Sequence, residues 1–413
     1  MNSITTIKNF FIASSFALSL GSCQSSAETK DADVKGVQQS TTEIPDLFSR
    51  VGQLATASEW EKTQLKVAEL KRKIASNPTD VKPRLQVATI YIAEARITGE
   101  HPYYYPAIHK ILDGVLAIEA QNFEATVLKS SVSLSQHKFA DAKVLAEKAK
   151  SINPSNAYVY GLLVDANVEL GNYKDAIAAS DKMQSLKPSL EAYSRASYLR
   201  EIHGDFDGAI KAMKLAVEAG LPGSEPQCWS RSMLAELYLK NGDLKKAEEQ
   251  HKINLVLRPT YAFSIAGLAK VEEKKKNYAV ALQLLDSAAA ILPEFSFHEQ
   301  MADIYALQGD KEKAIKKYNE VKVMLSEDEA SGHLVGLEMA QLYVKLNDVV
   351  AAEKYAMQEY TVRPNNIDVA KELAWIAYHK KDKVKAVQYI KTAKMTGSKN
   401  PELMQRNSLI EKM

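Results

Sequence analysis

The sequence is short of cysteine, because its 413 residues include only Cys23 and Cys228. Two thiols cannot build a disulfide framework, so the stability of the fold has to come from packing. A hydrophobic content of 46% is enough for a large core or for several domains in series.

An excess of charge of either sign is also lacking. Lysine and arginine number 53 and aspartate and glutamate 51, which leaves a formal net charge of +2, and the basic residues form no dense cluster. Nucleic-acid-binding proteins gain much of their affinity by neutralising phosphates with such clusters. The composition therefore predicts that nucleic acid is not a partner.

Long apolar runs are lacking beyond Leu20. The uncharged run at residues 10–20 follows Lys8 and suits the apolar region of a signal peptide, but it is too short to cross a bilayer as a helix. At its end stand Leu20, Gly21, Ser22 and Cys23. This order resembles the lipobox of bacterial lipoproteins, in which the signal peptide is cut before the cysteine.

The resemblance implies that residues 1–22 are removed and that Cys23 carries fatty-acyl chains such as palmitate, which anchor the protein to a membrane. The alternative is an ordinary secretory signal with an incidental cysteine. Gln24 follows the cysteine, where in enteric bacteria an aspartate commonly signals inner-membrane retention. We therefore expect the bacterial cell envelope and, in a double-membraned host, the outer membrane facing the periplasm. Cys228 would then have no partner, and we interpret it as a small buried apolar residue and not a reactive thiol.

The residues after Cys23 predict a flexible tether that extends to residue 45. Residues 24–45 contain no aromatic side chain and are rich in Ser, Thr, Gln, Asp and Lys, so they cannot bury enough apolar surface to fold. Helical structure is expected from residue 46, with a capping box at Ser58 and Glu61. Residues 46–84 are therefore predicted to form N-terminal helices.

From residue 85 onward a helical unit recurs, of which "LGNYKDAIAASDKMQSLKP" is the clearest copy. Each copy has a turn residue, often glycine, where a helix must end with positive φ. Five residues later comes an alanine, small enough for two helices to cross closely. These alanines recur at nearly equal intervals, at Ala107, Ala142, Ala176, Ala209, Ala247, Ala281, Ala314, Ala352 and Ala386.

This pattern resembles the tetratricopeptide repeat, a helix-turn-helix unit of about 34 residues with small residues at fixed positions. The resemblance implies an all-α fold, a right-handed superhelical solenoid of about eight to nine repeats over residues 85–397. After it, Asn400 can cap a terminal helix that begins at Pro401, so residues 398–413 are predicted to close the solenoid. The first repeat fits worst, because "HPYYYP" is expected to interrupt its turn.

Motifs for catalysis and metal binding are absent from the sequence. The eight histidines show no metal-ligand spacing, and neither a phosphate-binding loop nor a nucleophile elbow occurs. "GDFDG" at residues 204–208 lacks the twelve-residue calcium loop and occupies a turn of the repeat. We therefore predict a protein that is not an enzyme and that has no cofactor and no metal.

The resemblance implies a concave groove lined by the first helix of each repeat. Carried over through the alanine register, groove positions of the family fall on residues that we expect to bind a partner. They include Tyr158, Asp165, Tyr198, Glu201, Trp229, Glu236, Asp303, Lys371, Trp375 and Tyr378. Carboxylates and aromatic rings suit an extended protein or peptide segment that is neutral to basic and has apolar anchors. The alternative is that Trp229 and Trp375 pack between repeats.

The three tyrosines of "HPYYYP" are predicted to cover the open N-terminal end of the solenoid, although a sugar-stacking or partner-binding knob is an alternative. In function, the sequence resembles repeat lipoproteins of the envelope. That resemblance implies a non-catalytic adaptor or scaffold that serves a pilus, secretion, outer-membrane or polysaccharide-export machine. Two alternatives stay open: a glycan-binding helper of a cell-wall or exopolysaccharide enzyme, and a structural homo-oligomer.

Overall fold

The computed structural model describes residues 44–50, 52–55 and 58–413. The predicted signal peptide, Cys23 and nearly all of the predicted tether lie outside the described residues. Every regular element within the described residues is an α-helix. Their bounds are α1 (Gly52–Ala55), α2 (Ser58–Ser76), α3 (Val81–Thr98), α4 (His101–Ile118), α5 (Phe123–Ser135), α6 (Phe139–Ile152), α7 (Ala157–Glu169), α8 (Tyr173–Leu186), α9 (Leu190–Ile202), α10 (Phe206–Ala219), α11 (Glu225–Lys240), α12 (Leu244–Leu257), α13 (Ala262–Lys274), α14 (Tyr278–Ile291), α15 (Phe295–Leu307), α16 (Lys311–Ala330), α17 (Gly336–Lys345), α18 (Val349–Val362), α19 (Ile367–His379), α20 (Lys383–Ala393) and α21 (Pro401–Glu411).

Helices α3 to α20 form nine antiparallel pairs, each with a first helix A (odd number) and a second helix B (even number). At the turn inside each pair one residue has positive φ, as the sequence predicts, because the chain must leave helix A in a left-handed conformation. Five of these residues are glycines and four are not: Gly99, His137, Gly171, Gly204, Gly242, Lys276, Gly309, Asn347 and Lys381. The pairs stack into a right-handed superhelix.

The recurring alanines lie where neighbouring helices cross. All nine are at most 9% exposed, and seven of them are completely buried. Five alanines in the A helices, twelve residues before the recurring alanines of their pairs, are completely buried as well: Ala235, Ala269, Ala302, Ala340 and Ala374. A side chain larger than a methyl group would separate the helices, so these positions set the close packing of each pair. Cys228 is also completely buried and has no disulfide partner within the described chain.

The expected interruption of the first turn by "HPYYYP" is wrong. The chain turns at Gly99 instead, and the tyrosines lie in α4, which Pro102 can begin because the first turn of a helix does not use its N–H groups. Tyr104 and Tyr105 are buried. Tyr103 donates a hydrogen bond to the carbonyl of Asp46, and the N–H of Phe48 donates one to Tyr104. The tyrosines thus hold residues 44–50 against the N-terminal end of the solenoid and form no exposed knob.

The C-terminal end closes as the sequence predicts. The side chain of Asn400 accepts hydrogen bonds from the N–H groups of Glu402 and Leu403, and α21 follows directly. Arg406 of α21 pairs with Glu372 of α19 at 2.8 Å and lies 5.0 Å from the ring of Trp375. None of the described helices combines the length and the apolar character that a bilayer span requires.

The superhelix is wound so tightly that its second turn rests on its first. We call this contact the seam; it joins the A–B turns of α3–α4, α5–α6, α7–α8 and α9–α10 to the loops before α15, α17, α19 and α21. Its hydrogen bonds connect residues 192 to 198 positions apart, so one superhelical turn takes between five and six repeats. Local sequence patterns do not reveal such a contact.

The centre of the seam is a buried polar patch. Arg363, which is 3% exposed, pairs with Glu169 at 2.6 Å across the seam and with Glu359 at 2.7 Å on its own side of it. Asn366 donates a hydrogen bond to the carbonyl of Glu169, and the N–H of Ile367 donates one to the Tyr173 hydroxyl at 2.9 Å. Each of these polar groups has a hydrogen-bond or ion-pair partner, which compensates for its burial in the seam.

Candidate functional site

The concave side of the first superhelical turn encloses a cavity of about 900 Å³, which we call the concave cavity. Its walls are mainly A helices from α3 to α17, with the loops before α13, α15 and α17. Residues of the second superhelical turn, such as Asp328 and Val335, complete the wall near the seam. A volume of this size lies within the range of pockets that bury most of a small ligand. The concave side therefore contains a partly enclosed cavity and is not only a shallow groove.

Aromatic rings form a large share of the apolar lining of the concave cavity. Within the described chain seven of them line it: Tyr105, Phe123, Tyr158, Trp229, Tyr261, Phe263 and Phe295. Four of these occupy the first or second residue of an A helix, namely Phe123, Tyr158, Phe263 and Phe295. The N-terminal ends of these A helices therefore contribute aromatic side chains to the wall of the cavity.

The charged lining of the concave cavity is mostly acidic. Three basic side chains, Arg96, Lys187 and Arg258, face seven carboxylates in the described walls: Glu59, Glu124, Glu191, Glu225, Glu294, Asp328 and Glu338. Burial raises the pKa of Glu294 to about 7, with a smaller contribution from the nearby Asp328. Burial likewise raises the pKa of Asp328 to about 6 and the pKa of Glu225. A raised carboxyl pKa means that the cavity does not fully compensate the negative charge, which favours a cationic ligand.

One corner of the concave cavity groups imidazole and carboxylate side chains. One possible ligand atom from each of His101, Asp328 and His333 lies within 4.8 Å of the other two. His137 is adjacent, because its ring centroid is 4.9 Å from that of His333. Burial lowers the pKa of His101 to about 4 and the pKa of His333 well below its ordinary range, so both imidazoles are neutral at pH 7. This arrangement could hold a metal ion, although the sequence predicts none.

Two of the ten predicted partner-binding residues, Tyr158 and Trp229, line the concave cavity. Both are partly exposed. The Tyr158 hydroxyl lies 3.4 Å from that of Ser131, which is also in the wall. Trp229 follows Glu225 in the same helix by one turn. These two predicted side chains are placed where a ligand in the cavity would contact them.

Five of the other predicted residues join neighbouring A helices through ion pairs, which we call the charge ladder. Its pairs are Asp165–Arg195 at 2.6 Å, Glu201–Lys240 at 2.7 Å, Glu236–Lys270 at 3.1 Å, Asp303–Lys345 at 2.8 Å and Lys371–Glu402 at 2.8 Å. In the structure each of these charges is paired with an opposite charge on the next odd-numbered helix along the chain. Their role in partner binding stays a prediction, and a ligand would have to compete with the ladder.

The remaining three predicted residues lie outside the concave cavity. Tyr198 is 7% exposed and lines a separate void of about 40 Å³ beside the seam, together with Glu201 and Lys371. Trp375 and Tyr378 stack with ring centroids 4.8 Å apart. Since Arg406 lies over Trp375, this indole packs against the terminal helix, which agrees with the packing alternative for that residue.

"GDFDG" at residues 204–208 has the structural role that its position in the repeat predicts. Asp205 caps α10 by accepting a hydrogen bond from the N–H of Gly208, and its other carboxylate oxygen meets Arg200 at 2.7 Å. Both carboxylate oxygens of Asp205 therefore have partners within a few residues of the turn. The pKa of Asp205 is lowered by these two contacts, as is usual for a helix cap.

Comparison with known proteins shows similarity of fold. No protein-family model matches the chain, and no curated protein is similar to it in sequence. The chain is similar to human IFIT1, solved as a dimer with m7Gppp-AAAA, at 12% identity and a TM-score of 0.51, over 82% of this chain and 78% of that one. The chain is a tetratricopeptide-repeat solenoid.

Two further solved structures match the chain at lower TM-scores. A chain of the APC/C hetero-tetramer Cut9–Hcn1 matches at 13% identity and a TM-score of 0.43, over 87% of this chain and 64% of that chain. The tetratricopeptide-repeat protein TTC0263 of Thermus thermophilus matches at 20% identity and a TM-score of 0.42, over 46% of this chain and 98% of that protein. The chain thus spans less than two thirds of the Cut9–Hcn1 chain that it matches.

Proposed function

We propose that this solenoid is a non-catalytic adaptor that holds a short peptide segment of a partner protein in the concave cavity. The segment is neutral to basic and carries apolar or aromatic anchors. The observation that supports this most directly is the lining of the cavity, in which seven aromatic rings stand beside seven carboxylates and three basic side chains of the described walls. The proposal concerns the cavity and does not require the charge ladder to open.

The physical basis is the pairing of aromatic rings with cations. A lysine or arginine within about 6 Å of a tryptophan or tyrosine ring is attracted to its face, and nearby carboxylates strengthen the attraction. Glu225 and Trp229 lie one helical turn apart in the wall and could act on the same cationic side chain. Apolar anchors would fill the space beside Phe263 and Phe295. A cavity of about 900 Å³ accepts a short segment but not a folded domain.

We further propose that the adaptor is anchored in a bacterial envelope through acyl chains on Cys23, at the outer membrane facing the periplasm. The support is the lipobox-like order of residues 20–23 and the tether-like composition of residues 24–45. A flexible chain of that length has a root-mean-square span of roughly 25 Å. The solenoid would therefore work close to the membrane, in the assembly of a pilus, secretion, outer-membrane or polysaccharide-export machine.

The peptide part of the proposal can be tested with defined probes. Two fluorescein-labelled octapeptides are compared by anisotropy, Lys-Tyr-Lys-Leu-Lys-Tyr-Lys-Leu and its counterpart with glutamate at every lysine. We expect the basic peptide to bind at least tenfold more tightly, and Trp229→Ala to weaken it by about tenfold, since anchor aromatics commonly carry more than about 1 kcal/mol. Trp375→Ala is the matched control, because that indole lies outside the cavity, and it should leave binding unchanged.

The outcomes separate the alternatives. Equal binding of the two peptides, or no effect of Trp229→Ala, would contradict the proposed cavity chemistry. Loss of binding in Trp375→Ala alone would move the site to the C-terminal end. Retention on peptidoglycan or exopolysaccharide gels, with no peptide binding, would favour a glycan-binding helper. Light scattering that shows a stable dimer which excludes the basic peptide would favour the homo-oligomer.

The anchor and the partner can be tested in envelopes. A photo-cross-linking amino acid replaces Tyr158 in the cavity wall or, as the control, Val256 of α12, which is 81% exposed. We expect a specific adduct from position 158 and none from position 256. The same experiment in Cys23→Ser tests the tether, because loss of the acyl chains should move the protein to the soluble fraction. A membrane-bound Cys23→Ser protein would contradict the lipid anchor.

A further inference from the structure

We propose that His101, Asp328 and His333 form a binding site for a divalent transition-metal ion of the Zn²⁺ class. The three residues belong to different elements: His101 begins α4, Asp328 lies near the end of α16, and His333 precedes α17. The seam brings them together, because the first residue lies on the first superhelical turn and the other two on the second. The inference does not depend on the peptide proposal.

The distances suit a metal with only small movements of the side chains. The three ligand atoms all lie within 4.8 Å of one another. Zinc binds histidine nitrogen and carboxylate oxygen at about 2.0–2.2 Å, so in a tetrahedral site the ligand atoms stand about 3.4 Å apart. The farthest pair would have to approach by at most about 1.4 Å, which rotation of one side chain can supply. Two imidazoles and a carboxylate, with a fourth position open, form a common zinc ligand set.

His333 offers a buried ring nitrogen that a metal ion could bind. Its imidazole is 8% exposed and lies near the backbone of Ser135. The Nδ1 atom of the same ring is buried and has no hydrogen-bond partner among the described residues. Metal-binding histidines usually give one ring nitrogen to a backbone carbonyl or carboxylate and the other to the metal. A buried nitrogen without a partner is costly, and a metal ion would satisfy it.

The surroundings add further donors and compensate the charge of a cation. His137 stands beside His333, with ring planes at 86° and centroids 4.9 Å apart, and its Nδ1 lies 3.8 Å from a carboxylate oxygen of Glu338. The other carboxylate oxygen of Glu338 is buried without a hydrogen-bond partner in the described structure. His101 is oriented by stacking on Tyr105, with centroids 5.1 Å apart. Asp328 and Glu338 together would balance a double positive charge.

A metal ion at this position would join the two superhelical turns. Because His101 and His333 lie on opposite sides of the seam, binding would hold the seam closed and complete the wall of the concave cavity. A ligand that binds only the folded, closed form stabilises that form by mass action. We therefore expect zinc to raise the thermal unfolding temperature of the protein and to protect the backbone of residues 331–335 from hydrogen exchange.

The test uses the full chain without a histidine tag and in the Cys23→Ser background, so that neither a tag nor that thiol can bind metal. After removal of metal by a chelator, zinc uptake is measured by calorimetry and elemental analysis, and cobalt uptake by its visible absorption. We expect one ion per chain and the strong visible bands of four-coordinate cobalt. His101→Ala and His333→Ala should weaken zinc binding at least tenfold, while His298→Ala, a partly exposed histidine outside the cluster, should not change it.

Folding of each variant is checked by circular dichroism. If His333→Ala does not fold, Asp328→Asn decides, because it keeps the shape of the side chain and removes the charged oxygen. Failure of the folded wild type to bind one equivalent of zinc or cobalt would overturn the proposal. Binding that persists unchanged in both His101→Ala and Asp328→Asn would show an adventitious ion only. Peptide binding is also measured in metal-free protein. Loss of zinc uptake alone would count against the metal site, whereas loss of peptide binding in metal-free protein would count against the proposed function.

Discussion

Replacing Gly171 by alanine tests whether the second superhelical turn rests on the first. Gly171 lies in the turn between α7 and α8 with φ of +77°. A methyl group at this position would stand 2.5 Å from the backbone carbonyl carbon of Asn365 and 2.6 Å from its oxygen. Gly242 is the matched control, because it occupies the corresponding turn between α11 and α12 with φ of +82°, and no described atom lies within 4 Å of the position of the added methyl group.

Both substitutions lose folding free energy from the left-handed conformation, and only Gly171→Ala loses more from the seam. Both place an alanine in the left-handed region, for about 1–2 kcal/mol. Gly171→Ala must in addition widen the seam by about 1 Å, since carbon atoms pack at about 3.5–4.0 Å. That shift would break the Arg363–Glu169 ion pair and the hydrogen bonds made by Asn366 and Ile367. One charged and two neutral hydrogen bonds amount to about 2.5–6 kcal/mol.

Hydrogen exchange measures this difference in the stability of the seam at a single residue. The N–H of Ile367 donates to the Tyr173 hydroxyl across the seam, so its exchange rate reports directly on opening. We expect Gly171→Ala to speed its exchange at least about 50-fold relative to Gly242→Ala, since about 1.4 kcal/mol corresponds to a tenfold change. Small-angle scattering should show a larger radius of gyration for Gly171→Ala only. Equal protection of Ile367 in the two variants would refute the stacked arrangement.

Two further predictions concern buried charges. Arg195→Met leaves Asp165 buried without its bidentate partner and should lower the free energy of unfolding by about 3–5 kcal/mol in a denaturant titration. Arg200→Met changes another arginine of α9, whose ion pair with Asp205 is exposed, and should lower it by less than about 1 kcal/mol. Similar losses in the two variants would contradict the importance of burial. The second prediction is about pH. The raised pKa of Glu294, about 7 in the folded protein against about 4.3 when unfolded, means that its contribution to stability is fully present below pH 4.3 and is lost as the pH rises through 7. Because the side chain is partly exposed in the cavity, we expect a loss of about 2 kcal/mol. Glu294→Gln should remove that part of the pH dependence of thermal unfolding, and an unchanged pH profile would show that another group is responsible.

The repeat could be predicted from the sequence because its determinants are local. In eight of the nine pairs an alanine five residues after the turn marks the helix crossing, whereas in the first pair Ala107 stands eight residues after Gly99. The seam could not be predicted in this way, since it depends on the rotation that each repeat adds to the next. A small change in that rotation, summed over five to six repeats, would separate Glu169 from Arg363. No pattern of neighbouring residues encodes that sum.

The site was predicted only in part for a related reason. Tyr158 and Trp229 line the concave cavity, but Glu236 and Lys270 neutralise each other one repeat apart. A search for opposite charges separated by one repeat length would have revealed this pair, because identical positions of adjacent A helices face each other. The aromatic residues at the start of A helices, such as Phe263, were also visible in the sequence. Their meaning depends on the tight winding, which only the structure shows.

The histidine cluster shows why the absence of a sequence motif does not exclude a site. Metal motifs on one helix or loop can be read from spacing, whereas His101 and His333 lie on different superhelical turns and meet only across the seam. The same contact that brings them together also completes the wall of the concave cavity beside Asp328 and Glu338. Closure of the seam therefore controls two properties at once, the shape of the chamber that would hold a peptide and the ligand set that would hold a metal. A variant that opens the seam, such as Gly171→Ala, should weaken both, while loss of a single histidine should weaken metal binding first.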